Sequence, residues 1–205
     1  MQAERSRPQK PSRNVVFDAL TSRRRRDVLA ALVSAPSGVR ERDLAARLAE
    51  GEASADQNVV RRRLRHRHVP KLADADLATY DEETGRLALT DHPLLDVPVL
   101  QQVLDAEVAD DAFDCLASSR RRHVLAVLRD RGTVDRDELA RAVADREADS
   151  TADAVAVSLY HVHLPKLADA GLVDVDDETV ALRGDLPRVL LDLVDRSPES
   201  VDVAH

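Results

Sequence analysis

Apolar residues recur along the chain at helical spacing, and one series of elements is laid down twice. Val28, Leu29 and Leu32 fall on one face of a helix that Ser22 can cap, and Val124, Leu125 and Leu128 repeat the pattern behind Ser118. A turn at Gly38 or Gly132 leads to a short second helix. It carries Leu44, Ala45 and Leu48 in the first series and Leu139, Ala140 and Val143 in the second, where Asp135 and Glu138 have the spacing of a capping box. A third helix places Val60 and Leu64, or Val155 and Leu159, toward a core. Pro70 and Pro165 interrupt it; proline lacks a backbone donor and clashes with the preceding turn, so a kink or restart is expected. The helix ends near Gly171, which suits a left-handed cap, and at Asp76, a poorer cap residue. Residues 77–80 and 87–89, around a turn at 81–85, then alternate as a two-stranded hairpin, repeated in shorter form at 173–175 and 180–182.

The two series are copies. Residues 17–32 and 113–128 are identical at 11 of 16 positions, and residues 64–77 and 159–172 at 10 of 14. Two segments in one order, shifted almost alike, indicate a duplicated domain. Amphipathic stretches follow each hairpin: Leu94, Leu95, Val99, Leu100, Val103 and Leu104 after the first, and Leu186, Val189, Leu190, Leu191, Leu193 and Val194 after the second. The first can join the domains, and the second can pack on it or on another chain. The expected organisation is a basic arm at 1–13, domains at 14–92 and 111–185, a connecting helix at 93–110, and a helix and tail at 186–205. The fold class is mainly α with small β-hairpin wings.

The segment LYHVHLPKLADAGLVDVDD, running from the third helix into the second hairpin, resembles the end of the recognition helix in ArsR- and MarR-type winged helix regulators. With its His-x-His-x-Pro-Lys-Leu it resembles more closely the tandem winged helix-turn-helix domains of unknown function of haloarchaeal proteins. The resemblance covers most of residues 14–92 and 111–185. It implies a DNA-binding regulator in which the third helix enters a major groove, and a homodimer made through flanking helices. Packing of the two copies within one chain would bury the same surface. Winged helices also serve as protein-binding modules, so the fold alone does not fix the function.

Composition sharpens this picture. Hydrophobic residues make up 43% of 205, yet there are two Phe, two Tyr and no Trp, so the cores are built from Leu, Val and Ala. Acidic residues outnumber basic ones 38 to 30, and only three of the basic side chains are Lys, a bias of the haloarchaeal kind. A lone Cys115 excludes an intramolecular disulfide framework and fits a reducing interior. No apolar run approaches the roughly 20 residues of a membrane span, and no apolar stretch follows the charged N-terminus as a signal peptide would require. The expected location is the cytoplasm.

The charge is unevenly divided. Residues 1–96 hold 18 basic and 15 acidic side chains, net +3; residues 97–205 hold 12 and 23, net −11. On the third helix Arg61, Arg62, Arg63, Arg65 and Arg67 of the first copy correspond to Ala156, Val157, Ser158, Tyr160 and Val162 of the second. An Arg run in an Asp-rich chain is often a solvated, salt-bridged face. Its position on the groove-facing helix favours contact with double-stranded DNA instead, through those five residues and Arg86 of the adjoining hairpin. The second copy, anionic and apolar on the same helix, is assigned to dimerisation or a protein partner through Ala156, Val157, Tyr160 and Val162. The rival reading is an interaction or scaffold module in which neither copy binds DNA.

The remaining candidates read as structural. Arg24–Arg26 and Arg120–Arg122 open a helix in both copies, where cations oppose the dipole, so pairing with Asp18 and Asp114 or with hairpin carboxylates is expected. The arm, with Arg5, Arg7, Lys10 and Arg13, reads as a solvated tail, as does 197–205. His66, His68, His161 and His163 sit two apart, which does not share a helical face, and no further ligand completes a metal set. Cys115 aligns with Ala19 and reads as a core position. No phosphate loop, nucleophile elbow or metalloprotease motif is present, so no enzyme and no cofactor are expected.

Overall fold

Helix begins earlier in each copy than the apolar spacing predicts. In the computed structural model, which describes residues 11–50, 56–106 and 108–196, α1 spans Arg13–Leu20 and α2 spans Arg23–Val33. Arg13 thus opens a helix, with its guanidinium over the Phe17 ring. Arg5, Arg7 and Lys10 of the arm, and residues 197–205, lie outside the described residues. Next come β1 (Val39–Arg40), α3 (Glu41–Glu50), α4 (Gln57–Arg63), a π-helical turn (Leu64–His68), α5 (Val69–Asp74), β2 (Ala78–Asp81) and β3 (Arg86–Leu89). The hairpin is therefore part of a three-stranded antiparallel sheet of order β1-β3-β2, with Val39 and Tyr80 both opposite Leu87. Phe17, Leu20, Leu29, Leu44, Leu64, Leu72 and Leu87 are buried on its inner side. Each such side chain stabilises the fold by roughly 1.5–3 kcal/mol.

The chain divides into two compact units, Met1–His92 and Pro93–His205. The second repeats the series as α7 (Asp110–Leu116), α8 (Ser119–Arg131), β4 (Val134–Asp135), α9 (Arg136–Ala144), α10 (Ala152–Ser158), a π-helical turn (Leu159–His163), α11 (Leu164–Asp169), β5 (Val173–Val175) and β6 (Thr179–Leu182), with sheet order β4-β6-β5. It adds α6 (Val97–Asp105) and α12 (Arg188–Asp195), which pack on each other. Arg196 binds the Leu94 carbonyl and the Asp96 carboxylate, and Arg129 pairs with Asp195 to tie α8 to α12. No helix among the described residues is long and apolar enough to cross a membrane.

The repeated arginines close the junction between the first two helices of each unit. Arg25 donates to the carbonyls of Ala19 and Asp18, and Arg26 to that of Leu20; Arg121 and Arg122 do the same for Cys115, Asp114 and Leu116. These carbonyls lie in the last turn of each helix, where backbone acceptors have spare capacity and a cation is favoured; those of Asp18, Asp114 and Cys115 also accept the amides of Thr21, Ala117 and Ser118. The expected pairing is thus corrected in one respect: the arginines take the backbone oxygens of Asp18 and Asp114, while the carboxylates pair with Lys71 and Lys166. Ser22 and Ser118 stand at N-cap positions, but neither side chain accepts a cap hydrogen bond. Asp135 does cap α9, through the amides of Asp137 and Glu138, whereas Glu138 reaches Arg131 rather than completing a capping box.

The third helix does not break at proline. Residues 57–74 and 152–169 are continuously helical, and the adjustment is the π-helical turn before each proline, where the Val69 amide bonds to the Leu64 carbonyl and the Leu164 amide to that of Leu159. Widening the turn by one residue carries the strained carbonyl off the pyrrolidine ring, which relieves the clash without ending the helix. Both helices close in one way. Asp76 (φ 53°) and Gly171 (φ 69°) are left-handed, and the Leu77 and Leu172 amides reach back to the carbonyls of Leu72 and Leu167. Asp76 takes the strained position despite carrying a Cβ.

Candidate nucleic-acid interface

Because Val60, Leu64, His68 and Leu72 turn inward on the helix at 57–74, the residues between them must face water. Arg61, Arg62, Arg63, Arg65 and Arg67 are all exposed. They are not equivalent. Arg61 is held at 3.2 Å by Glu41, a carboxylate only 3% exposed that also accepts the Tyr80 hydroxyl at 2.6 Å. That bond to Glu41 pushes the Tyr80 phenol above its ordinary pKa. Arg62, Arg63, Arg65 and Arg67 make no hydrogen bond or ion pair with the described residues, so four guanidinium groups stand together in solvent on one helix.

Arg86 is set apart from this cluster. Its Nε donates to the Ser37 carbonyl at 2.9 Å and a terminal nitrogen to that of Gly38 at 3.3 Å, which fastens the hairpin to the turn before β1. The hairpin tip carries Asp81, Glu82 and Glu83, all exposed. Hydrogen bonds from the Thr84 hydroxyl and from the amides of Thr84 and Glu83 hold the Asp81 carboxyl below its usual range, so it remains an anion.

In the second unit the same helix presents Val157, Tyr160 and Val162 at 63%, 59% and 54% exposure, with Ala156 half-buried beside them. The Arg136 guanidinium lies 5.6 Å over the Tyr160 ring and donates to the Asp176 carbonyl. The sequence reading missed Glu41, Tyr80 and Arg136. The signal was available, because Glu41, Arg61 and Tyr80 align with Arg136, Ala156 and Val175, and the three positions change together between the copies.

The His-x-His pairs split as their spacing requires. His66 and His161 are exposed, whereas His68 and His163 turn inward, with buried Nδ1 atoms that have no hydrogen-bond partner among the described residues. Burial first, and then the neighbouring cations, push both inward imidazoles below their ordinary pKa. Among the described residues no group of three or more His, Cys, Asp or Glu is placed to hold a metal ion. Cys115 is buried, and burial raises its thiol to about 11.

Residues 17–88 and 113–183 each match one family, described as "Domain of unknown function (DUF7344)". No curated protein and no solved structure matches the chain.

Proposed function

Since the chain belongs, through both of its repeats, to the DUF7344 family of domains of unknown function, its role must be read from its side chains, and we propose that it is a non-catalytic, DNA-binding transcriptional regulator. The helix order and hairpin suit a winged helix-turn-helix reading, in which the helix at 57–74 of the first unit lies in the major groove of double-stranded DNA. The observation that carries this reading is the cluster Arg62, Arg63, Arg65 and Arg67, exposed and unpaired with the described residues, on a helix whose counterpart carries no cation at the aligned positions. Arginine serves both tasks of such a helix, binding phosphate oxygens and reading the two acceptors of guanine. Glu41 fixes Arg61 at the edge of this face and so orients its start. The carboxylates at 81–83 repel phosphate, so contact falls to the helix and the hairpin stands off the backbone.

The test is fluorescence anisotropy of the whole protein with random duplex DNA across a KCl series, with circular dichroism reporting the fold at every point. Four arginines on phosphates give a slope of log affinity against log salt near −3 to −4, at about −0.9 for each contact. Replacing Arg62 and Arg65 by Ala lowers affinity at least tenfold and makes the slope shallower by about two, with the thermal midpoint unchanged. Equal affinity of the double variant and the parent would refute the assignment.

A further inference from the structure

The second unit carries a groove where the first carries a network. In the first unit Tyr80 reaches across to Glu41, and Arg61 closes over the same carboxylate. In the second, Val175 and Ala156 replace the two long side chains; Val175 lines a cavity of about 400 Å³ together with Arg136, Tyr160, His161, Leu164 and Pro165, and Ala156 lines the hollow next to it. A second hollow of about 290 Å³ extends it over Val157. The framework around it is unchanged, since Leu159 and Leu167 are buried as Leu64 and Leu72 are. The change is confined to the outward face, which becomes apolar where its counterpart is charged. Val157, Tyr160 and Val162 are three of the five large apolar side chains exposed among the described residues. Such concentration on a single helix marks a contact surface rather than scattered exposure.

Charge states what fits there. Asp176, Asp177 and Glu178 line the hollow that continues past Arg136 on the hairpin side, and Asp137 borders the space over Val157. All four are exposed, in a region whose net charge is −11. A second copy of this unit would set the same carboxylates against themselves. We propose that the groove docks an amphipathic helix of another protein, apolar on the face laid against Val157 and Tyr160 and flanked by Lys or Arg that meet the carboxylates at either end. Arg136, held 5.6 Å over the Tyr160 ring, and Pro165, which cannot donate a backbone hydrogen bond, both line the cavity. This proposal stands whether or not the first unit binds DNA.

The probe is a fluorescein-labelled, 18-residue helical peptide of Leu and Lys, with a Leu and Glu peptide of the same pattern as its twin, titrated against the full chain in 0.2 M and 1 M KCl. The expected result is saturable binding of the Lys peptide at both salts and none of the Glu peptide. The exposed double variant Val157→Ser/Tyr160→Ser lowers affinity at least tenfold. Val175→Tyr, which restores the side chain that fills the first unit, lowers it comparably, while Arg62→Ala/Arg65→Ala leaves it unchanged. Circular dichroism confirms that each variant is folded. Affinity that ignores both groove variants, or that vanishes in 1 M KCl, overturns the proposal in favour of plain charge attraction. A concentration-dependent dimer in sedimentation that dissociates on Tyr160→Ser overturns it in favour of self-association.

Discussion

Arg25 and Arg121 each hold the carbonyl end of the helix preceding their own, at sites 8% exposed. Removing such a group takes a charged donor from two carbonyls, and a hydrogen bond to a charged group contributes about 1.5–3 kcal/mol. Arg25→Ala is therefore expected to lower the unfolding free energy in urea by about 2–3 kcal/mol. Arg65→Ala, at an exposed position, should leave it within about 0.5 kcal/mol. Comparable losses for the two variants would show that the junction contributes nothing special. From sequence these arginines were assigned a structural role because the acidic copy keeps them, and that inference required no coordinates. Their partners were not legible, since a carboxylate in the sequence is visible as an acceptor and a backbone oxygen is not.

Whole elements were legible where periodicity is long. The second and third helices and the hairpins lie where the apolar spacing set them, whereas the helix expected at 93–110 is limited to Val97–Asp105, leaving Leu94 and Leu95 buried in the segment before it. β1 and β4 are two residues each, and two residues cannot display a period; they exist because Leu87 and Val180 offer them a strand to pair with. The turn into β1 depends on Gly38, whose φ is 77° and whose missing Cβ would lie 2.4 Å from the Leu87 carbonyl oxygen. Gly132 has the same φ, with nothing within 4 Å of its Cβ position. Alanine at either site bears the cost of left-handed backbone. Only Gly38→Ala adds a collision with the sheet, so it should lower the melting temperature distinctly more than Gly132→Ala in calorimetry. Equal shifts would mean that the strand moves aside freely. The π-helical turns escaped the sequence reading for a related reason, because proline announces trouble in a helix without saying whether the chain will break or widen.

Over the molecule as a whole, charge is divided as sharply as structure is repeated. The region from 97 onward carries a net −11, and its surface ion pairs, such as Arg131 with Glu138, are largely solvated and contribute about 0–1 kcal/mol each. Self-repulsion of the excess carboxylates should dominate at low salt, where screening reaches only beyond about 10 Å at 0.1 M. Raising KCl from 0.1 M to 1 M is therefore expected to raise the melting temperature of the full chain. Asp176→Asn/Asp177→Asn should reduce that rise by relieving part of the repulsion. A midpoint indifferent to salt would indicate that the ion pairs already balance the excess. The sequence by itself determined the duplication, the helix-rich class with its small sheets, and the segregation of charge onto one copy, because periodicity, identity and formal charge are local properties that survive without coordinates. Only the tertiary structure decided that four of five arginines have no hydrogen-bond or ion-pair partner among the described residues while Glu41 holds the fifth, and that a groove beside Val175 and Ala156 lies where Tyr80 and Arg61 meet over Glu41 in the first unit. Those outcomes depend on which side chains meet across elements 20 to 40 positions apart, and no local pattern records that meeting.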